Sequence, residues 1–501
     1  MTTTTPRHVP NWIDGGPSPM EEAAAHPVLD PATGEVVARV DFAGPLQVER
    51  AIGSADEAAR TWRNSSLAQR TRVLFAFREQ LRTRTDELAS IITEEHGKLL
   101  SDARGEVTRG MEVVEFACGI PHLLKGSHSE GVSRGIDVHS VRQPLGAVAI
   151  ISPFNFPVMV PLWFAPVAIA AGNSVVLKPS EQDPSAANLL ADMWREAGLP
   201  EGVFTVVHGG REIAETLITH PRIKAVSFVG STQVARHVYE TGTSHGKRVQ
   251  ALGGAKNHML VLPDADLDLA ADAVIGAAYG SAGERCMAIS ALLVVDTVAD
   301  ALVERITERI KDLRTGDGRR DVDMGPLVSA EHRDRVLSYV DAGQKEGARV
   351  VADGRSVAPD GSREGYWVGP TLLDDVTPDM SVYTDEIFGP VLSVVRVSSY
   401  EEGVRLVNEH PYGNGTAIFT RDGGAARRFE YEVEVGMVGI NVPIPVPVSY
   451  YSFGGWKASL FGDTHAHGTE GVHFYTRGKV VTTRWPDPSE RGIELGFPVH
   501  S

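Results

Sequence analysis

The chain of 501 residues carries a formal charge of −17, with 42% hydrophobic and 23% charged residues, an ordinary composition for a folded protein with two or three cores. That acidic balance, with no Lys/Arg run, argues against nonspecific binding to nucleic acid or anionic membranes, and apolar stretches such as 158–171 are too short and proline-broken to cross a bilayer. Two cysteines cannot build a disulfide framework, which points to a reducing compartment.

Residues 1–10 are Thr-rich and lack both an apolar signal core and an Arg-rich amphipathic pattern, so a cytoplasmic location is expected. From residue 148 onward, β-rich apolar runs alternate with helical patterns: strand 148–152, helix 157–171, strand 174–177, helix 185–197, strand 203–207, helix 211–220 and strand 225–229. Gly230-Ser231-Thr232 then opens another helix. This is the pattern of a doubly wound parallel sheet, whose strand-to-helix turns are the expected places for phosphate groups. A second α/β unit begins near residue 253, with strand 259–262, helix 267–279, strand 291–296 and helix 298–313. Residues 316–369 read as loops around one helix near 330–344, and further α/β pattern runs from 390 to 420. The β-prone run Val480-Val481-Thr482-Thr483-Arg484-Trp485 lies far along the chain, either as a strand pairing with another subunit or as a simple edge strand.

Chemistry concentrates at Cys286, within Ser281-Ala282-Gly283-Glu284-Arg285-Cys286-Met287. A nearby guanidinium favours thiolate over thiol, and small neighbours admit a substrate. The bland alternative is a buried structural cysteine, the reading that suits Cys118 in its helix. Other motifs share the second half of the argument: Pro153-Phe154-Asn155-Phe156-Pro157, Lys178-Pro179-Ser180-Glu181, Phe228-Val229-Gly230-Ser231-Thr232, Asp385-Glu386-Ile387-Phe388-Gly389-Pro390 and Phe453-Gly454-Gly455-Trp456-Lys457.

Together these strings resemble the aldehyde dehydrogenase superfamily over nearly the whole chain. The resemblance implies Cys286 as nucleophile and Asn155 as the amide donor to the oxyanion, a neutral preorganised donor suited to that task. It implies an NAD site in which Phe154, Lys178, Glu181, Gly230, Ser231, Glu386 and Phe388 take part. Glu181 faces the adenosine ribose, where a carboxylate accepts from hydroxyls and repels a 2′-phosphate. Trp163 and Phe453 would wall the substrate tunnel. The implied fold is α/β: a doubly wound NAD-binding domain (1–124 and 146–252), an α/β catalytic domain (253–465), and a small β oligomerisation element with the tail (125–145 and 466–501).

One departure is informative. Most hydrolytic members carry a Glu that activates water, but the matching stretch here is Ala251-Leu252-Gly253-Gly254-Ala255-Lys256-Asn257-His258, with no carboxylate at Ala251 or Leu252. With Arg285 before the cysteine and Val113-Val114-Glu115-Phe116-Ala117-Cys118, this resembles the CoA-acylating methylmalonate-semialdehyde dehydrogenase branch. The resemblance implies Arg285 and Arg109 on the carboxylate of a small semialdehyde substrate, coenzyme A as co-substrate, and a homotetramer built from dimers. It implies no metal, no nucleic acid partner and no membrane partner. A hydrolytic aldehyde dehydrogenase giving free acid is the alternative. Glu284 stands where the branch usually shows Gln; a carboxylate there would raise the thiol pKa and compete for Arg285 unless its side chain points away.

Overall fold

The computed structural model describes residues 5–18, 25–133, 135–361, 363–485 and 489; the expectations for residues 1–4 and for nearly all of the tail beyond Trp485 lie outside them. An eight-stranded sheet runs Leu460–Phe461, Arg248–Leu252, Ile223–Val229, Ala147–Ile151, Ser174–Lys178, Phe204–Val206, Asn11–Ile13 and Gly16–Ser18. Its five central strands are parallel, with antiparallel additions at both ends. Strands Ala147–Ile151 and Ser174–Lys178 are buried at every position, as expected when helices cover both faces. Chain order reverses between Ala147–Ile151 and Ile223–Val229, so a crevice opens beyond the carboxyl ends of those strands.

The second sheet has seven strands in the order Arg349–Ala352, Thr371–Asp374, Val391–Val397, Ile289–Val295, Asn257–Val261, Gly415–Phe419 and Met437–Ile440. Only its first pair is antiparallel. Arg349–Ala352 lies in a stretch whose sequence suggested only loops and one helix; that helix is Ala330–Glu346. The β-prone run near the end forms Thr476–Arg484, which pairs antiparallel along Ile136–Pro144 of the same chain, with His128–Ser133 on the far side. Residues 466–475 instead pack into the core beneath the first sheet, where Ala466, Val472, Phe474 and Tyr475 join Trp163 and Phe453. No helix among the described residues is long and apolar enough to cross a membrane.

The helix Met159–Ala170 is buried at every residue. Buried all round, its first N–H groups cannot turn to water, so another element must satisfy them. Glu106, from helix Leu100–Cys118, accepts from the Val158 and Met159 N–H groups at 2.8 and 3.0 Å. A carboxylate at that position also complements the helix dipole. Its second oxygen takes Lys98 Nζ at 2.8 Å, and Lys98 donates in turn to the Asn155 carbonyl at 2.5 Å. Lys98 and Glu106 are each 2% exposed, so water compensates neither charge.

Removing one partner of such a buried pair is far costlier than the pair's net worth. Glu106→Ala strands the lysine charge and two helix N–H groups, and is expected to lower unfolding stability by about 3–5 kcal/mol in chemical denaturation. Glu106→Gln keeps an acceptor for the N–H groups and should fall between it and wild type.

Candidate functional site

The loop that carries Cys286 leaves helix Leu267–Tyr279 through a short turn with three consecutive left-handed residues, Ser281, Ala282 and Gly283, at φ 52, 51 and 73°. Left-handed backbone at Ser and Ala is strained, and persists only where surroundings impose it. Gly283 is obligatory for space as well as conformation, since a Cβ there would sit 2.2 Å from the Gly389 carbonyl. Cys286 follows, half-buried, and two amides fix its main chain: Asn257 Nδ2 and Asn414 Nδ2 donate to its carbonyl at 2.9 and 3.0 Å. Neither had been picked out as a site residue from sequence. The only local signals were that Asn257 lies in the quoted Gly254-to-His258 string and that Asn414 sits between two glycines.

Asn155 stands at the carboxyl edge of the first sheet and donates through Nδ2 to the Glu284 carbonyl at 3.0 Å. That bond joins the two sheets' facing edges. Asn155 does not cap the following helix, because Glu106 does so, and its second amide N–H remains to be aimed at a reacting oxygen.

Cys286 lines two spaces. On one side is a cavity of about 520 Å³ that also holds Asp102, Arg109, Trp163, Arg285 and Phe453, bringing together all the substrate residues expected from sequence. Trp163 and Phe453 form its aromatic wall with ring centroids 4.4 Å apart. Arg285 is held by Asp102 at 2.8 Å, and the half-exposed Arg109 by Glu112 at 3.1 Å. On the other side, a narrow cleft contains Ala255, Asn257, Glu386 and Phe388. Glu386 Oε1 accepts the Ala255 N–H at 2.8 Å, and a Cβ on Gly254 would lie 2.4 Å from its other oxygen. Lys256, fully buried, anchors the same segment through the Val382 and Asp385 carbonyls.

A third cavity, of about 690 Å³, lies in the crevice beyond the first sheet and contains Phe154, Lys178, Glu181, Gly230 and Ser231. Lys178 and Glu181 pair at 3.0 Å. Ser231 begins helix Thr232–Ser244 without a side-chain cap, leaving free N–H groups where a pyrophosphate would lie. Glu386 and Phe388 lie in the narrow cleft beside the nucleophile, and the Phe388 and Phe154 rings meet edge-on at 5.9 Å. The residues present therefore fit a dinucleotide running from the crevice toward Cys286.

Electrostatics correct one expectation. The Cys286 thiol is pushed up to about 12, first by burial and next by the Glu386 charge, while Arg285 opposes that shift less than the Cys286 and Met287 N–H groups do. Arg285 is already committed to Asp102, so it does not hold the ligand-free nucleophile as thiolate. Burial also lifts Glu386 to about 7, against the Ala255 N–H and Lys256 that pull it down. The Glu284 carboxyl turns to the Val328 N–H at 3.1 Å, and burial pushes it well above its usual range.

The aldehyde dehydrogenase family profile matches residues 19–481. A malonate-semialdehyde dehydrogenase of Pseudomonas aeruginosa is 54% identical over 474 residues, 94% of this chain and 95% of that protein. A crystal structure from Sinorhizobium meliloti 1021 that carries the methylmalonate-semialdehyde dehydrogenase name and is complexed with NAD superposes with TM-score 0.96 at 48% identity, over 98% of this chain and 100% of that one. A methylmalonate-semialdehyde dehydrogenase from Oceanimonas doudoroffii superposes with TM-score 0.95 at 50% identity, over 96% and 99% of the two chains.

Iodoacetamide reacts with thiolate, so in ligand-free protein Cys286 alkylation, followed by peptide mass spectrometry, should climb from pH 7 to 10 without levelling off. Glu386→Gln removes a charge that opposes thiolate formation. It should speed alkylation above pH 7, where the wild-type carboxylate is ionised, and change little below pH 6.

Proposed function

This chain belongs to the aldehyde dehydrogenase family, and we propose that it performs NAD-dependent, CoA-acylating oxidation of malonate or methylmalonate semialdehyde with loss of CO2, giving acetyl-CoA or propionyl-CoA. The observation that carries the acylating assignment is the end of strand Arg248–Leu252. Ala251 and Leu252 are packed in core at 0 and 3% exposure, and neither can take a proton from water. The acids lining the substrate cavity are engaged elsewhere: Asp102 with Arg285, Glu106 with Lys98 and a helix terminus, and Glu112 with Arg109.

Cys286 Sγ, on losing its proton, bonds to the aldehyde carbon. The oxygen that gains charge is met by Asn155 Nδ2 and the Cys286 N–H. Bound NAD supplies the hydride acceptor, and bound CoA the thiol that takes the acyl group. Loss of hydride leaves a thioester on Cys286. Its carbonyl then receives the electron pair when the β-carboxylate leaves as CO2, and the resulting α-carbon takes up a proton. Attack by the CoA thiol returns Cys286 as thiolate. Lys178, Glu181, Gly230 and Ser231 hold the dinucleotide in the large crevice, with Glu386, Phe388 and Phe154 around its reactive end. Arg285 and Arg109 read the substrate carboxylate through charge-assisted bonds, and Trp163 with Phe453 shields the reacting carbon. The assembly proposed is a homotetramer, a dimer of dimers, formed through the sheet of Thr476–Arg484, Ile136–Pro144 and His128–Ser133.

The hydrolytic reading draws on one observation, the Glu386 carboxyl near 7 in the cleft beside Cys286, which could accept a proton from water. A product assay separates the two. With NAD and either semialdehyde, NADH formation should require CoA and yield the acyl-CoA; undiminished NADH without CoA, with free acid as product, rejects the proposal. Arg285→Leu should cost about 10- to 100-fold in kcat/KM on the semialdehydes, the worth of one charge-assisted bond, and much less on propanal. Equal losses on both would remove the carboxylate-reading role.

A further inference from the structure

Behind the nucleophile loop lies a buried polar cluster that the chemistry above does not use. Glu284 is 0% and His96 1% exposed, and the His332 side chain is 11% exposed. Glu284 Oε1 accepts the Val328 N–H at 3.1 Å and lies 3.5 Å from His332 Nε2, which donates instead to the Phe388 carbonyl at 2.7 Å. Glu284 Oε2 is 3.8 Å from His96 Nε2, and neither that oxygen nor either His96 nitrogen has a hydrogen-bond partner. Burial holds both imidazoles below their usual range and the carboxyl above its own, so the enclosure disfavours charge on all three groups. A buried acid with an unpaired oxygen is expensive, and so invites a reason.

The reason suggested by the geometry is mechanical. Ser281 and Ala282, left-handed without being glycine, store strain that something must hold, and Glu284 is the first residue beyond the turn they form with Gly283. Its main-chain carbonyl receives Asn155, while its side chain reaches the Val328 loop and the histidine that holds Phe388. Phe388 is itself left-handed, at φ 61°. We infer that Glu284 is a positioning residue of the reaction centre, a buried post that keeps the strained nucleophile turn and Asn155 in register with Phe388. This rests on the proposed roles of Asn155 at the oxyanion and Phe388 at the nicotinamide.

Glu284→Leu removes the acceptor for Val328 and should lower kcat for NADH formation at least tenfold while KM for NAD changes less than threefold. The deuterium isotope effect on the burst, with substrate deuterated at the aldehyde carbon, should rise as hydride transfer slows. Glu284→Gln, with a carbonyl of the same reach, should restore kcat to within threefold of wild type. Glu284→Asp, one methylene shorter, should behave like Leu, and serves if the Leu variant does not fold by circular dichroism. Wild-type kcat in a folded Leu or Asp variant overturns the inference. So does a parallel loss of kcat and NAD affinity with an unchanged isotope effect, or a Gln variant as impaired as Asp. Asn155→Ala is the separate control: if it keeps wild-type turnover, the site reading itself fails, whatever Glu284 does.

Discussion

Lys98 and Glu106 meet across 2.8 Å in a region closed to solvent, and from that contact much of the reaction centre is hung. Glu106 ends the helix Met159–Ala170 that carries Trp163, and Lys98 grips the carbonyl of Asn155 four residues before that helix begins. The same acid sits on helix Leu100–Cys118, which also delivers Asp102 and Arg109 to the substrate cavity. A buried pair is a poor source of net stability, because desolvation offsets attraction. What it provides here is geometry: two helices and the main chain of Asn155 share one fixed point.

From that point the chain builds a junction between two sheet edges. Asn155 arrives from the carboxyl edge of the first sheet, and Cys286 from the loop entering strand Ile289–Val295 of the second. The Asn155-to-Glu284 bond and the close approach of Gly283 to Gly389 tie those edges together. Asn257 and Asn414, each at the start of a second-sheet strand, hold the Cys286 carbonyl from beneath. Cys286 is therefore located by main-chain contacts, and it lines both cavities.

Much of this was legible in sequence. The alternation from 147 to 229 fell within about two residues of the observed strands and helices, because buried parallel strands and amphipathic helices announce themselves locally. Helix Leu267–Tyr279 matched at both ends, with Asp266 capping its N-terminus through two N–H groups. Short edge elements did not show: Leu460–Phe461 and Arg349–Ala352 are strands only because a distant partner accepts them. The candidate site residues stood in recognisable motifs, and the structure places Arg109, Trp163, Arg285 and Phe453 in the cavity beside Cys286, Glu386 and Phe388 in the narrow cleft on its other side, and Lys178, Glu181, Gly230 and Ser231 in the crevice beyond the first sheet. Their supports were not legible. Nothing local tells that Glu106 caps a helix 52 residues onward, or that Asp102 claims Arg285 from 183 residues away.

Those hidden partners change the electrostatic argument most. Sequence places a guanidinium beside a thiol, which suggests a standing thiolate; the fold spends that guanidinium on Asp102 and surrounds the sulfur with burial and the Glu386 charge, so the resting group is a thiol. A thiol is a weak nucleophile and reacts slowly with oxidants. The groups that disfavour the thiolate are those a ligand would alter. A dinucleotide occupying the crevice would engage Glu386, and a substrate carboxylate would compete with Asp102 for Arg285. On that logic the site gains its nucleophile as it fills. The absence of a carboxylate at Leu252 fits the same scheme, since a centre with no acid at that position has one base fewer to activate water.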